Sequence, residues 1–397
     1  MSKAVFKGLF TQQSPIPDDA IEAAVAVLRG GRIHRYNTMG DETSQTALLE
    51  QEYAAWQGSK YCLACASGGQ AIQLALRASG VKHDDQVLTN AFTLAPVPGA
   101  IAAVGGKPVL VEINAELVID LQDLERKAKD SGARYLLLSH MRGHLVDMHQ
   151  LMTLTDRLGI TVIEDCAHTM GATWDGTKSG NFGIAGCFST QTYKHINSGE
   201  GGLLTSNDPQ FMARAIVMSG SYMLYARHGA APEESHFTDA RLDSPNMSAR
   251  MDNLRAAILR PQLQDIDTAI TSWNERYHTV AKHIRQCENA ALPNRPEQGH
   301  FVGSSIQFRV PDLNSDASND LVTRLAGRGV EVKWFGGSTP NGFTSSHHSW
   351  RYVQAQQLPE SDQVMAALFD MRLPLSFSIQ DCELIGTILA EEIHAST

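Results

Sequence analysis

Cysteine is scarce in this chain: six among 397 residues, at Cys62, Cys65, Cys166, Cys187, Cys287 and Cys382, mostly inside apolar stretches. That excludes a disulfide scaffold and fits reduced thiols in a cytoplasm-like compartment. Basic runs are equally thin. The densest, Arg126, Lys127 and Lys129, has acidic neighbours at Glu125 and Asp130, and the chain carries a formal charge of −10. No nucleic-acid or anionic-membrane partner is expected of such a surface. No segment approaches the roughly 18 apolar residues of a membrane span. The opening Met-Ser-Lys-Ala-Val-Phe lacks a signal peptide's apolar core, so the expected location is cytoplasmic. Neither a G-x-G-x-x-G turn nor a Walker lysine occurs, which leaves a dinucleotide dehydrogenase and a P-loop NTPase without support.

What is present is enough apolar material, 43% of 397 residues, for two domains. From about residue 18 the pattern alternates between amphipathic helices and short apolar runs. Helices are expected over 18–28, 45–56, 70–79, near 98–104, and over 148–158. Strands are expected over 61–65, 86–89, 108–112, 135–138, 160–163, 186–190 and 202–206. Such alternation implies an α/β fold with a mostly parallel sheet. After about residue 245 the pattern changes. Residues 250–289 read as a long helical stretch interrupted at Pro261, 304–310 and 329–333 as strands, and 317–326, 363–370 and 379–391 as helices. The expected organisation is a large α/β domain over residues 1–250 and a smaller C-terminal α+β domain over 251–397.

Three strand ends carry unusual residues, and in open α/β sheets ligands bind beyond such ends. Ser67-Gly68-Gly69-Gln70 turns from a strand into a helix, where backbone N–H groups and the helix dipole favour a phosphate. A strand-to-helix turn also wants glycine for steric reasons alone. Glu164-Asp165-Cys166-Ala167-His168 places an acid pair where a cap or solvated charge is common, but the small residues that follow turn Asp165 toward a crevice. Lys194 lies between the strand ending at Phe188-Ser189 and the turn Gly199-Glu200-Gly201-Gly202. A lysine, a carboxylate and a helix N-terminus are together what pyridoxal 5'-phosphate (PLP) requires: a Schiff-base partner, a counter-ion for the pyridine nitrogen and a phosphate cradle.

On these residues, together with Ala91-Phe92-Thr93, the chain resembles the DegT-type sugar aminotransferases, PLP enzymes of fold type I. The resemblance runs from the first helix to Leu373-Pro374-Leu375. It implies Lys194 as the Schiff-base lysine, Asp165 as the pyridine partner and His168 beside the ring hydroxyl. Phe92 is implied to stack on the ring; the plain alternative is a core phenylalanine. Gly68, Gly69, Gln70 and Ser189 are implied around the phosphate. A homodimer is implied, with Asn246 or Ser248 reaching the partner's cofactor. The implied reaction moves an amino group from glutamate or glutamine to a keto-sugar, cyclitol ketone or related acceptor.

Three features depart from the family wording. Gly69 stands where a threonine is usual, Arg142 where an aromatic is common, and either Asn246 is two residues out of place or Ser248 fills its slot. The acceptor pocket is expected to draw on Arg35-Tyr36, Arg142 and the loop from Trp334 to Trp350, which points to an atypical acceptor. For Arg35 and Tyr36 taken singly, a charged surface loop is the plainer reading. Cys62-x-x-Cys65 has no second pair and reads as strand core, and His347-His348 as solvated. Two other functions share the fold. In a PLP-dependent sugar dehydratase the lysine is replaced by histidine; counting back from Gly199 puts Lys194, not His195, at that position. A non-catalytic partner or regulator is disfavoured by intact Lys194, Asp165 and His168.

Overall fold

Seven short strands form the larger sheet of the computed structural model, which describes residues 4–338 and 346–396. They are β1 (Tyr61–Cys65), β2 (Gln86–Asn90), β3 (Lys107–Val111), β4 (Tyr135–Ser139), β5 (Thr161–Asp165), β6 (Ala185–Ser189) and β7 (Gly202–Ser206). Their spatial order is β1-β7-β6-β5-β4-β2-β3. All pairs are parallel except those β7 makes with its two neighbours. Alternate side chains of β1 enter different cores. Leu63 and Cys65 pack with the helix Gly68–Ala78, while Cys62 and Ala64 pack with the helix Gln45–Gln57. With both faces covered, most strands are buried almost throughout rather than on alternate residues. Cys62 and Cys65 are both fully buried, as strand-core residues are.

The reversed strand sets the geometry of the sheet edge. Gly202, the first residue of β7, pairs with Cys65 on one side and Ser189 on the other. The carboxyl ends of β1 and β6 therefore meet at one edge with Gly202 between them. No side chain fits there: a Cβ would lie 2.4 Å from the Ser67 carbonyl oxygen and 2.6 Å from the Gly68 nitrogen.

A second sheet, antiparallel, is formed by β8 (Ser305–Arg309), β9 (Lys333–Trp334) and β10 (Leu368–Arg372), with β10 in the middle. Its core gathers Ile306, Phe308, Leu325, Phe369, Met371 and Leu389, and it also takes in Phe6 and Phe10 from the start of the chain. Both phenylalanines meet Phe377 edge-on, at 4.9 and 5.0 Å.

Two expectations change. The helix expected over 363–370 is instead the helix Pro359–Ala366 followed by β10. A short apolar run carries no period that separates strand from buried helix, and pairing with β8 and β9 decides it. The break expected at Pro261 falls at Asp265. Pro261 lies inside the helix Asn253–Gln264, and a second helix, Ile266–Ile284, carries the chain from one core to the other.

Candidate active site

A cavity of about 1260 Å³ opens beyond the carboxyl ends of the large sheet, and the second sheet forms its far wall. The turn after β1 contributes Ser67, Gly68 and Gly69. Ser67 caps the following helix by accepting the Gln70 N–H at 3.1 Å. This commits the Gln70 amide to the cap. The N–H groups of Gly68 and Gly69 belong to the first helical turn, which has no acceptor within the helix. Gly68 is demanded by its surroundings, since a Cβ there would stand 2.7 Å from the Ser189 Cβ. Gly69 is not so constrained; the nearest atom to its Cβ position is the Ser67 Oγ at 3.9 Å. Ser189 also lines the cavity. Gln70 does not, and its buried Oε1 has no hydrogen-bond partner among the described residues.

The acid pair at the end of β5 separates by strand alternation. Glu164 points inward, takes N–H groups from Gly180, Phe182 and Gly183 at 2.8 Å each, and meets His140 Nε2 at 3.0 Å. Its role is to fasten the loop before β6. Asp165 points into the cavity. It accepts the Ser139 hydroxyl at 3.0 Å and the Ala167 N–H at 3.2 Å, and Thr93 in turn donates to Ser139 Oγ at 2.8 Å. Burial pushes the Asp165 carboxyl above its ordinary range, against the pull of Lys194.

Lys194 follows β6, in a loop closed by the Thr190 N–H on the Gly201 carbonyl at 2.9 Å and the Ser198 N–H on the Thr190 carbonyl at 3.0 Å. Its Nζ stands 3.2 Å from His168 Nε2. Burial lowers the Lys194 ammonium to about 8, with Asp165 opposing and Arg142 and Arg372 assisting. His168 is held well below its usual range by burial and then by Lys194, so its ring is neutral. The neighbouring His195 turns away. It packs edge-on against Trp273 at 5.1 Å and meets Ser304 Oγ at 3.2 Å, leaving Lys194 as the one that faces the cavity.

Other residues fall elsewhere. Phe92 is fully buried in a core cluster and meets Phe335 edge-on at 5.2 Å; the cavity wall at this point is Thr93 and Leu94. Asn246 is exposed and off the cavity, its Oδ1 accepting the Ser248 N–H at 2.9 Å. Arg35 and Tyr36 are neither a solvated loop nor part of the pocket. Arg35 is 1% exposed and bonds both oxygens of Glu50 at 2.9 Å, and Tyr36 meets His228 at 2.7 Å. From the far loop, Trp334 and residues 336–338 line the cavity, residues 339–345 lie outside the described residues, and Trp350 is in a core cluster. His347 is buried rather than solvated and bonds Asp362 at 2.8 Å; the exposed His348 reaches the same oxygen at 3.1 Å.

Arg142 does face the cavity, from a turn with φ 57°, and pairs with Asp370 at 2.7 Å. Asp370 is fixed from behind by Gln307 at 2.7 Å, which His144 meets at 2.8 Å. The sequence reading gave no warning of Asp370, Arg372 or Lys333, all on the cavity wall. They were hidden by the misread β10 and by the shortness of β9.

Known proteins place this geometry. The chain is similar to a dTDP-3-amino-3,4,6-trideoxy-alpha-D-glucose transaminase of Micromonospora megalomicea subsp. nigra, 33% identical over 281 residues, which are 70% of this chain and 71% of the relative. It is also similar to a pleiotropic regulatory protein of Geobacillus stearothermophilus, 31% identical over 271 residues, 66% of this chain and 68% of the relative. A crystal structure of 3-amino-5-hydroxybenzoic acid (AHBA) synthase matches with a TM-score of 0.83 at 22% identity, over 99% of this chain and 100% of that one, and so shares the fold. Residues 16–388 match one family throughout, and the chain belongs to it: the DegT/DnrJ/EryC1/StrS aminotransferase family.

Proposed function

We propose that this aminotransferase works with PLP and moves an amino group from glutamate or glutamine to a keto-sugar, cyclitol ketone or related acceptor. The carrying observation is that Lys194, Asp165, His168 and the Gly68–Gly69 turn converge on one cavity. The residues fit the cofactor chemically. Gly68 and Gly69 offer N–H groups at a helix N-terminus, and Ser189 adds a hydroxyl, as a phosphate requires. Asp165 supplies an acid on the cavity wall, within reach of the Lys194 charge, as a pyridine nitrogen requires. Gln70 and Phe92 act from behind, as helix and core residues.

When bound, PLP holds the substrate nitrogen through its aldehyde carbon and accepts the electron pair released at the substrate Cα. The protein does the rest. With its pKa near 8, Lys194 is a neutral amine far more often than an ordinary lysine, which suits it to add to an aldehyde. Once displaced by the donor, its Nζ is free to take the proton from the substrate Cα and return it during the second half of the reaction. The neutral His168, 3.2 Å away, accepts a hydrogen bond from that Nζ and orients it. Ser139 and Thr93 keep the Asp165 carboxylate aimed into the cavity.

The protein acts in the cytoplasm as a homodimer, and Asn246 or Ser248, both exposed and off their own cavity, serves a second copy. A regulatory role, as in the name of one relative, would not need these groups on one cavity. Neither would it need Lys194 at a lowered pKa. Dehydration of a sugar is likewise disfavoured by Lys194, not His195, on the cavity wall. The test is the near-ultraviolet and visible spectrum of purified protein with PLP. Wild type should show a protein-bound band that L-glutamate or L-glutamine discharges, and Lys194→Ala should lack it. A band that neither donor discharges would refute transamination from these donors.

A further inference from the structure

Away from the cavity, two adjacent histidines converge on one carboxylate. His347 and His348 each present Nε2 to the same oxygen of Asp362, at 2.8 and 3.1 Å, and their ring centroids are 3.9 Å apart. Asp362 Oδ2 takes no hydrogen bond among the described residues. Two donors crowding one oxygen while the other stands free make poor use of a carboxylate. Three ligand atoms turned toward a common centre look like this. The two nitrogens and the oxygen lie within 4.8 Å of one another. Around a transition metal, bonds of about 2.0–2.2 Å at angles of about 90–110° set ligand atoms about 2.8–3.6 Å apart, and both nitrogen–oxygen distances fall in that interval. The backbone on each side is fixed. The turn His347–Ser349 ends at Trp350, which is buried in a core cluster with Leu110 and Leu358. Asp362 lies in the helix Pro359–Ala366, which Ser361 ties to the large sheet: its N–H goes to Glu112 at 2.8 Å, and its Oγ accepts the Ile113 N–H at 3.0 Å. Among the described residues Asp362 has no lysine or arginine within 4.0 Å, so its charge is open to a cation. The His347 side chain is buried, whereas those of His348 and Asp362 are 64% and 40% exposed, which leaves a way in from solvent.

We propose that His347, His348 and Asp362 bind one divalent transition metal ion, zinc above all, with water completing its coordination. Two imidazoles and one carboxylate suit zinc and do not suit magnesium or calcium, which take oxygen ligands. None of the three residues lines the cavity, so the ion works as a clip and not in the reaction. It joins the turn His347–Ser349 to the helix Pro359–Ala366. That helix leads into β10, whose Asp370 and Arg372 stand on the cavity wall. The proposal does not depend on the transaminase reading. A natural control exists in His149 and Asp175, an exposed pair at 2.9 Å that offers the same chemistry with one histidine fewer.

The test is calorimetry with zinc chloride on PLP-loaded protein freed of metal by a chelator, comparing wild type with His348→Ala, Asp362→Asn and His149→Ala. His348 is exposed and asparagine keeps the shape of Asp362, so both ligand variants should fold. Wild type should show one zinc site, which His348→Ala and Asp362→Asn each weaken at least about tenfold and His149→Ala leaves unchanged. Magnesium should bind wild type far more weakly than zinc. Melting curves supply a second readout: zinc should raise the melting temperature of wild type and His149→Ala but not of the two ligand variants. Unchanged zinc affinity in either ligand variant, or magnesium binding as tight as zinc, would overturn the assignment. Failure of the transaminase reading would look different: no donor would discharge the visible band, while the zinc site would remain measurable.

Discussion

Two clusters of buried charge in this protein each combine a cation, an acid and a histidine, and they behave in opposite ways. In the first, Glu50 takes two nitrogens of Arg35 at 2.9 Å, the Ala64 N–H at 2.9 Å and the Gly229 N–H at 3.1 Å, and His228 joins Arg35 to Tyr36. Burial alone would raise the Glu50 carboxyl, but Arg35 and His228 overcome it and hold it at about 2. In the second, around Lys194, burial prevails. The ammonium falls to about 8, Asp165 rises, and Arg372 has no acid partner among the described residues. A closed pair fixes the fold and does no chemistry, whereas charges left partly unmatched can exchange protons and receive ligands.

Lys194→Ala should cut transamination by at least about 10³-fold, measured as steady-state turnover, while the melting temperature stays at or above that of wild type. A large loss of stability would mean that the lysine belongs with the closed cluster. Glu50→Ala should do the reverse. It leaves Arg35 buried and unpaired at a cost of about 3–5 kcal/mol in urea unfolding, with turnover per folded molecule unchanged. The sign with pH follows from the depressed Glu50 carboxyl: its stabilisation is complete above about pH 4.3, the ordinary glutamate value, and is lost as pH falls toward 2. Glu50→Gln should flatten that acid limb in urea titrations run across the same window.

Asp165→Asn should lower kcat by about 10²-fold and leave stability unchanged or raised, because it removes a buried carboxyl that burial already disfavours. A fall of several kcal/mol in stability would instead show a structural acid like Glu164. The smallest contrast lies between two adjacent glycines. Gly68→Ala should weaken PLP binding and stability together, since its Cβ would meet Ser189. Gly69→Ser, at a position with open space, should stay within about 0.5 kcal/mol of wild type in stability.

The large sheet and the residues at its edge were legible because each has a strong local signal. Buried strands carry short apolar runs, and a strand end followed by small residues announces a turn into the cavity, as at Ser67 and Asp165, while Lys194 stands between a strand and a glycine-rich turn. Which of two adjacent residues faces the cavity was legible at Lys194 and His195 only through the family spacing. Arg35 was misjudged because its partners, Glu50 and His228, are 15 and 193 positions away, and nothing local distinguishes a buried arginine from a solvated one. Phe92 shows the complementary failure. An aromatic beside a cavity and an aromatic one layer behind it read alike, and packing against Phe335 puts it behind. The far wall was lost altogether with β10, a strand of five residues whose identity is set by pairing with β8 and β9 rather than by its own sequence.

The reversal of β7 also has a consequence for the order in which the protein is made. Because β7 runs back against β6, the loop carrying Lys194 closes on itself, and the chain has supplied Gly68, Asp165, His168, Lys194 and Gly202 by the time residue 202 has been added. Arg372 arrives with the last strand. At ordinary synthesis rates of about 5–20 residues per second, that interval lasts about 10–30 s. A nascent chain thus carries its amine and acid before the strand that walls their cavity has been made.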